Sequence, residues 1–186
     1  MPNHTGRLVL TTADPLASPD RALVTGVLSQ AGLVGAPLPG RECAYAAGPE
    51  LFSLLTFAGC AVRVSTRPEL GDSFCHVRIP ASTSAPYLLA GRNTRPPRCP
   101  GCRARLQNWR DRVSDWRDRP DAETLCPACG EARPPWLWDW KQQGGFGRLF
   151  VLVEEIFPDE AVPNPGLIEL LTRACGTGWR YFYVQD

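Results

Sequence analysis

The chain of 186 residues is 44% hydrophobic and 21% charged and has a net charge of +1, values that exclude an intrinsically disordered protein. It contains no run of 18 apolar residues, and its first nine residues lack the basic and apolar regions of a signal peptide. We therefore expect a cytoplasmic protein with no membrane partner. Lys141 is the only Lys beside nineteen Arg, which together with abundant Ala, Pro and Gly predicts a bacterial source.

The first half of the chain is predicted to alternate strands and helices. Short apolar runs bounded by turn residues indicate strands, and apolar stripes at helical spacing indicate helices. The predicted elements are a strand at Arg7–Thr12, a helix at Asp20–Ala31 capped by Ser18 and ended by Gly32, a strand at Cys43–Ala47, a helix at Pro49–Ala58, and strands at Ala61–Thr66 and Phe74–Ile79. Irregular connections are predicted at 32–40 and 80–91.

The second half begins with a segment of different composition, residues 92–143, which holds five of the six Trp. Its first part, residues 92–119, has nine Arg against three Asp. The elements predicted after it are a glycine hinge at Gly144–Gly147, a strand at Arg148–Phe157, a helix capped by Asn164 and ended by Gly176, and a strand at Trp179–Val184.

Both ends of the chain are predicted strands, which we expect to share one sheet. This predicts the α/β (α+β) class, with a single mixed-sheet host domain formed by residues 1–91 and 144–186. Residues 92–143 would be an inserted zinc-binding module. The alternative is two small α/β lobes on either side of the module.

Two Cys-Pro-x-Cys pairs lie in this module, Cys99 with Cys102 and Cys126 with Cys129. Four thiolates in two such pairs suit a tetrahedral Zn²⁺ site, and a reducing cytosol favours metal binding over disulfides. The alternatives are simple packing or disulfides, and a thioredoxin-like redox pair. The redox role requires a thiol after a strand, whereas the residues before Cys99 are Arg and Pro.

The segment from Cys99 to Gly130 resembles zinc-ribbon and rubredoxin-like modules, and the match covers about a sixth of the chain. Gly130 follows the second pair as in that pattern, whereas Arg103 follows the first. The resemblance implies a closed, structural Cys₄ zinc site with no open position for water. Rubredoxin holds iron in similar turns, so the spacing fits iron as well.

The remaining cysteines each stand alone among apolar neighbours, which predicts small buried hydrophobic residues rather than ligands. They are Cys43, Cys60, Cys75 and Cys175. His76, next to Cys75, is not assigned to a metal because a lone His is more often structural.

Between the pairs, Leu106, Trp109, Val113 and Trp116 are spaced as one face of a helix that Pro120 would end. The alternative places Trp109 in a ribbon strand. The opposite face holds six arginines: Arg103, Arg105, Arg110, Arg112, Arg117 and Arg119. This Arg face is either a solvated surface paired with nearby Asp or a contact for RNA or single-stranded DNA.

Trp136, Trp138 and Trp140 alternate along a segment predicted to be a strand with all three rings on one face. That face either covers the module and joins it to the host or forms a contact for a protein partner. No catalytic motif is present, and Glu154 and Glu155 are predicted to point to opposite faces of a strand.

The sequence therefore predicts a zinc-binding, non-enzymatic interaction protein. A protein partner is favoured, RNA or single-stranded DNA is the alternative, and an enzyme of unknown reaction class is the third possibility.

Overall fold

The computed structural model describes residues 6–58, 64–67 and 73–186. The strands of these residues are β1 (Gly6–Thr12), β2 (Val34–Pro37), β3 (Ala44–Ala47), β4 (Leu55–Phe57), β5 (His76–Arg78), β6 (Tyr87–Ala90), β7 (Thr124–Leu125), β8 (Ala132–Arg133), β9 (Gly144–Gly147), β10 (Phe150–Glu154), β11 (Ala161–Pro163) and β12 (Trp179–Gln185). The α-helices are α1 (Arg21–Gln30), α2 (Leu51–Leu54), α3 (Val113–Asp118) and α4 (Pro165–Cys175).

The main sheet has six strands in the order β12-β1-β10-β5-β3-β2. Each pairing between its described strands is antiparallel. β1 lies between the last strand of the chain and β10, with Leu8 opposite both Tyr183 and Val153. The α/β class and the shared sheet of the two chain ends are therefore confirmed.

One face of the sheet is covered by α1 and α4, which also contact each other. Val24 and Leu28 of α1 and Leu167 and Leu171 of α4 are fully buried there. The side chain of Asp20 accepts a hydrogen bond from the Leu23 N–H in the first turn of α1. Asp20, and not the predicted Ser18, therefore caps this helix.

The predicted caps of α4 are both present. The Asn164 side chain accepts a hydrogen bond from the Gly166 N–H, and Gly176 ends the helix in the left-handed conformation. These local signals fix the start and the end of the helix.

The other face of the sheet is covered by a two-stranded ribbon of β6 and β9. A Cβ on Gly145 would come 3.1 Å from Phe182, and one on Gly147 would come 3.2 Å from Phe150. The intervening Phe146 packs against the tryptophans of the module. The predicted glycine hinge is therefore wrong, because these glycines let a strand approach the sheet closely.

Three other predictions differ from the structure in the first half. The helix predicted at Pro49–Ala58 is only the one-turn α2, after which β4 pairs with β11. The irregular connection predicted at 32–40 contains β2, which pairs with β3 across a turn. The one predicted at 80–91 contains β6, which pairs with β9, a strand that is distant in the sequence. The strand predicted at Ala61–Thr66 lies partly outside the described residues.

Among the described residues, none of the helices combines the length and the apolar character that crossing a bilayer requires.

Replacing Gly147 with Ala should destabilise the protein by about 1–3 kcal/mol, because the new methyl group would overlap the buried Thr11 hydroxyl. Gly26→Ala is the matched control, since no atom lies within 4 Å of a Cβ at this exposed position in α1. The control should gain about 0.5–1 kcal/mol from helix propensity. Urea unfolding measures both changes, and equal stability of the two variants would contradict the packing of β9 on the sheet.

Candidate metal centre

The two cysteine pairs form equivalent turns. In the first, the Cys99 N–H donates to the Ala104 carbonyl at 2.8 Å, and the Arg103 N–H donates to the Cys99 carbonyl at 2.9 Å. The same two bonds recur around Cys126, at 2.9 Å and 3.0 Å. Each turn directs its two sulfur atoms to one side, as a metal-binding knuckle requires.

Arg103 adopts the conformation that its sequence position demands. Its φ is 66°, close to the 74° of Gly130 at the equivalent position of the second turn. A left-handed conformation is unfavourable for a residue with a Cβ. The Arg103 guanidinium also donates to the Asp139 carboxylate at 2.9 Å, which ties the first turn to the tryptophan-rich segment.

The turns bring all four sulfur atoms within 4.8 Å of one another. Two of the distances are 3.8 Å, between Cys99 and Cys129, and 3.5 Å, between Cys102 and Cys126. Sulfurs about 2.3 Å from a central zinc ion lie about 3.8 Å apart in a tetrahedron. The four cysteines therefore fit a tetrahedral metal ion, and they leave no position for water.

The thiols of the cluster differ in acidity. Backbone N–H groups of Cys129 and Ala128 lower the pKa of Cys126 to about 6. The N–H of Glu131 favours the Cys129 thiolate, but the adjacent Cys126, burial and the two remaining thiols together raise the pKa of Cys129 to about 12. A bound cation would favour the thiolate form of all four cysteines, because it would offset the repulsion between neighbouring negative charges.

A cluster of aromatic rings packs beside the cysteines. Trp109, Trp116 and Trp140 are buried with Cys99 and Cys126 in one core. The Trp140 ring makes edge-to-face contacts with the rings of Trp109 at 5.3 Å and Trp116 at 5.9 Å. This core makes the environment of the cysteines dependent on the packing of the whole segment.

The helix predicted between the pairs is present in part. A 3₁₀ turn at Trp109–Arg112 leads directly into α3, whose Trp116 is buried. The strand alternative for Trp109 is therefore wrong.

Most of the predicted Arg face is exposed. Five of its six members, Arg103, Arg105, Arg110, Arg117 and Arg119, are exposed, and Arg112 is half-buried. The Arg110 guanidinium lies 4.3 Å from the Trp109 ring centre and donates to the Thr94 carbonyl at 3.1 Å. None of the described ion pairs joins this face to Asp111, Asp115 or Asp118.

The segment with the three alternating tryptophans is not a strand. Pro135–Leu137 forms a 3₁₀ turn, and Trp138 and Trp140 are 3% and 4% exposed. Trp136 is half-buried and contacts Phe146 of β9. The rings thus cover the cysteine core and join it to the ribbon, which was one of the two predicted roles.

Sequence reasoning missed Asp139. Besides Arg103, it accepts hydrogen bonds from the Lys141 ammonium at 2.9 Å and the Lys141 N–H at 3.0 Å. Burial opposes ionisation, but these donors hold the pKa of Asp139 below its usual range. A single acid inside a run of tryptophans is the signal that could have revealed it.

The other cysteines that the structure describes lie outside the cluster. Cys75 is buried, and burial together with the nearby glutamates raises its pKa to about 12. Cys43 and Cys175 are half-buried, and Cys60 lies outside the described residues. His76 is buried beside the carbonyl of Phe74 at 2.9 Å and is not part of the metal cluster.

Comparison with known proteins gives no relative: the sequence matches no family model and is similar to no curated protein, and no solved structure matches the fold. The geometry of the site is therefore the basis for its interpretation.

Replacing Cys126 with Ser should abolish stoichiometric metal binding and weaken the near-UV circular dichroism of the adjacent tryptophans. The control is Cys175→Ser, in α4 and outside the cluster, which should keep both the metal binding and the near-UV circular dichroism of the wild type. Elemental analysis of purified protein gives the metal content. Full metal content and unchanged dichroism in the Cys126 variant would contradict the four-cysteine site.

Zinc affinity of the metal-free protein should rise at least about tenfold from pH 7 to pH 8. Cys129, with its pKa of about 12, stays protonated over this range, so each bound ion must displace its proton. Acid therefore weakens binding. Competition with a chromophoric chelator at the two pH values measures the change, and a pH-independent affinity would show that Cys129 is not a ligand.

Proposed function

We propose that the four cysteines hold a structural Zn²⁺ and that the segment it stabilises is a non-enzymatic binding module. The observation that carries this proposal is the cluster of four sulfur atoms within 4.8 Å. A complete set of four protein ligands is typical of structural zinc, whereas catalytic zinc keeps a position for water or substrate.

The role of the metal follows from the two turns that it joins. They are separated by 23 residues, and each contributes two of the four ligands. Between them lie the 3₁₀ turn, α3 and β7, which are short elements with little stability of their own. Zinc would hold this segment together and so fix the side chains on its surface.

The surface of the module favours an anionic partner over an apolar one. Five arginines of the Arg face are exposed, whereas two of the three tryptophans first expected to contact a protein are buried. Exposed Leu137, beside the half-buried Trp136, is a smaller apolar feature. We therefore place charge ahead of apolar contact as the basis of recognition.

Cobalt substitution tests the closed, structural site. Co²⁺ bound by four thiolates should give the intense visible absorption of a tetrahedral sulfur site, and added cyanide or imidazole should leave it unchanged. A spectrum that shifts when these ligands are added would reveal an open coordination position and would contradict a purely structural role.

A further inference from the structure

Three cavities border Lys141: two of them are lined by residues of both the module and the edge strand β12, and the third is lined by module residues. Their volumes are about 790, 160 and 360 Å³. Lys141 lines all three, and Gln142 lines the largest and the second largest. The three cavities therefore share a border at Lys141, and together we call them the basic groove.

The basic groove concentrates positive charge. Its cationic lining residues are Arg92, Arg95, Arg98, Arg105, Lys141 and Arg180. The carboxylates that line it are Asp139 and Asp159, and Asp139 is already engaged by Arg103 and Lys141. The protein as a whole has a net charge of only +1, so this surface stands out as a binding site for an extended anion.

Arg180 gives a second reason to expect an anion. Its guanidinium lies 5.5 Å from the Phe182 ring centre, and its Nε is buried without a hydrogen-bond partner among the described residues. Burial lowers the pKa of Arg180, which reflects the cost of a partly desolvated cation. A phosphate in the adjacent cavity would offset this cost.

Aromatic residues also line the groove. Phe157 lines the 790 Å³ cavity, and Tyr181 of β12 lines the 360 Å³ cavity. Both residues are half-buried, so each retains exposed surface. Alternating cations and partly exposed rings are the features with which proteins bind unpaired nucleotides, through the phosphates and by stacking on the bases.

We propose that the basic groove binds single-stranded nucleic acid, with the cations contacting phosphates and with Phe157 and Tyr181 stacking on bases. This inference deepens the proposed binding function and rests on it, because it names the partner. It also moves the contact from the Arg face, of which only Arg105 lines the groove, to five cations outside that face: Arg92, Arg95, Arg98, Lys141 and Arg180.

Fluorescence anisotropy with a labelled oligothymidylate of about twelve nucleotides tests the proposal on the zinc-loaded full chain. The variant Arg95→Glu with Lys141→Glu should lose at least about tenfold in affinity. The control Arg117→Glu with Arg119→Glu makes the same charge change on the Arg face, at the end of α3, and should lose less than about threefold. Replacing the two groove cations should also reduce the slope of log affinity against log salt concentration by about 1.4 in magnitude.

A strand of equal length that consists of abasic sites keeps the phosphates and removes the bases. It should bind more weakly than the oligothymidylate, and so should a duplex, whose bases are not free to stack. Equal affinity for the abasic strand or for a heparin fragment would overturn the proposal in favour of a general polyanion site. Equal losses in the two charge-reversal variants would place the contact on the Arg face instead.

Zinc content and near-UV circular dichroism are measured for every variant. These measurements distinguish a failure of the proposed zinc site from a failure of the proposed groove. No saturable binding by wild-type protein with full zinc content overturns the basic groove alone. Wild-type protein that binds the oligothymidylate but holds no zinc would support the groove and overturn the structural metal site.

Discussion

Four cysteine sulfur atoms lie within 4.8 Å of one another, and this close approach is the constraint on which the module depends. Neighbouring thiolates repel unless a cation lies between them. Without a metal, the raised pKa of Cys129 keeps at least one thiol protonated. A bound metal would join the two cysteine turns, which are distant in the chain, into a single unit. The tryptophan core packs against Cys99 and Cys126, so its packing would depend on an ion held by these cysteines.

The metal centre is coupled to the main sheet through the β6–β9 ribbon. Phe146 points from β9 into the tryptophan core, while the flanking Gly145 and Gly147 allow the strand to lie on the aromatic face of the sheet. The molecule thus has four layers: helices, sheet, ribbon and module. The basic groove contains residues of both the module and β12, so loss of the proposed metal ion would disturb the position of its cations.

The sequence predicted best what local chemistry determines. The spacing of the four cysteines predicts the sulfur cluster, and Asn164 and Gly176 predict the two ends of α4. It failed where packing overrides local preference. The glycines of β9 indicate a hinge in the sequence, and only the aromatic rings packed against them show why the strand needs them. The alternating tryptophans indicate a strand, whereas Pro135 begins a 3₁₀ turn. Four of the six groove cations lie in the Arg-rich segment 92–119, but Lys141 and Arg180 are distant in the chain, so no local pattern joins them to it.

X-ray absorption at the metal edge of the purified protein identifies the bound element and its ligands in one measurement. We expect zinc with four sulfur neighbours at about 2.3 Å and no oxygen or nitrogen ligand. Two or three sulfurs with a light-atom ligand would contradict the closed four-cysteine site. An iron edge with four sulfurs would keep the geometry and contradict zinc as the metal.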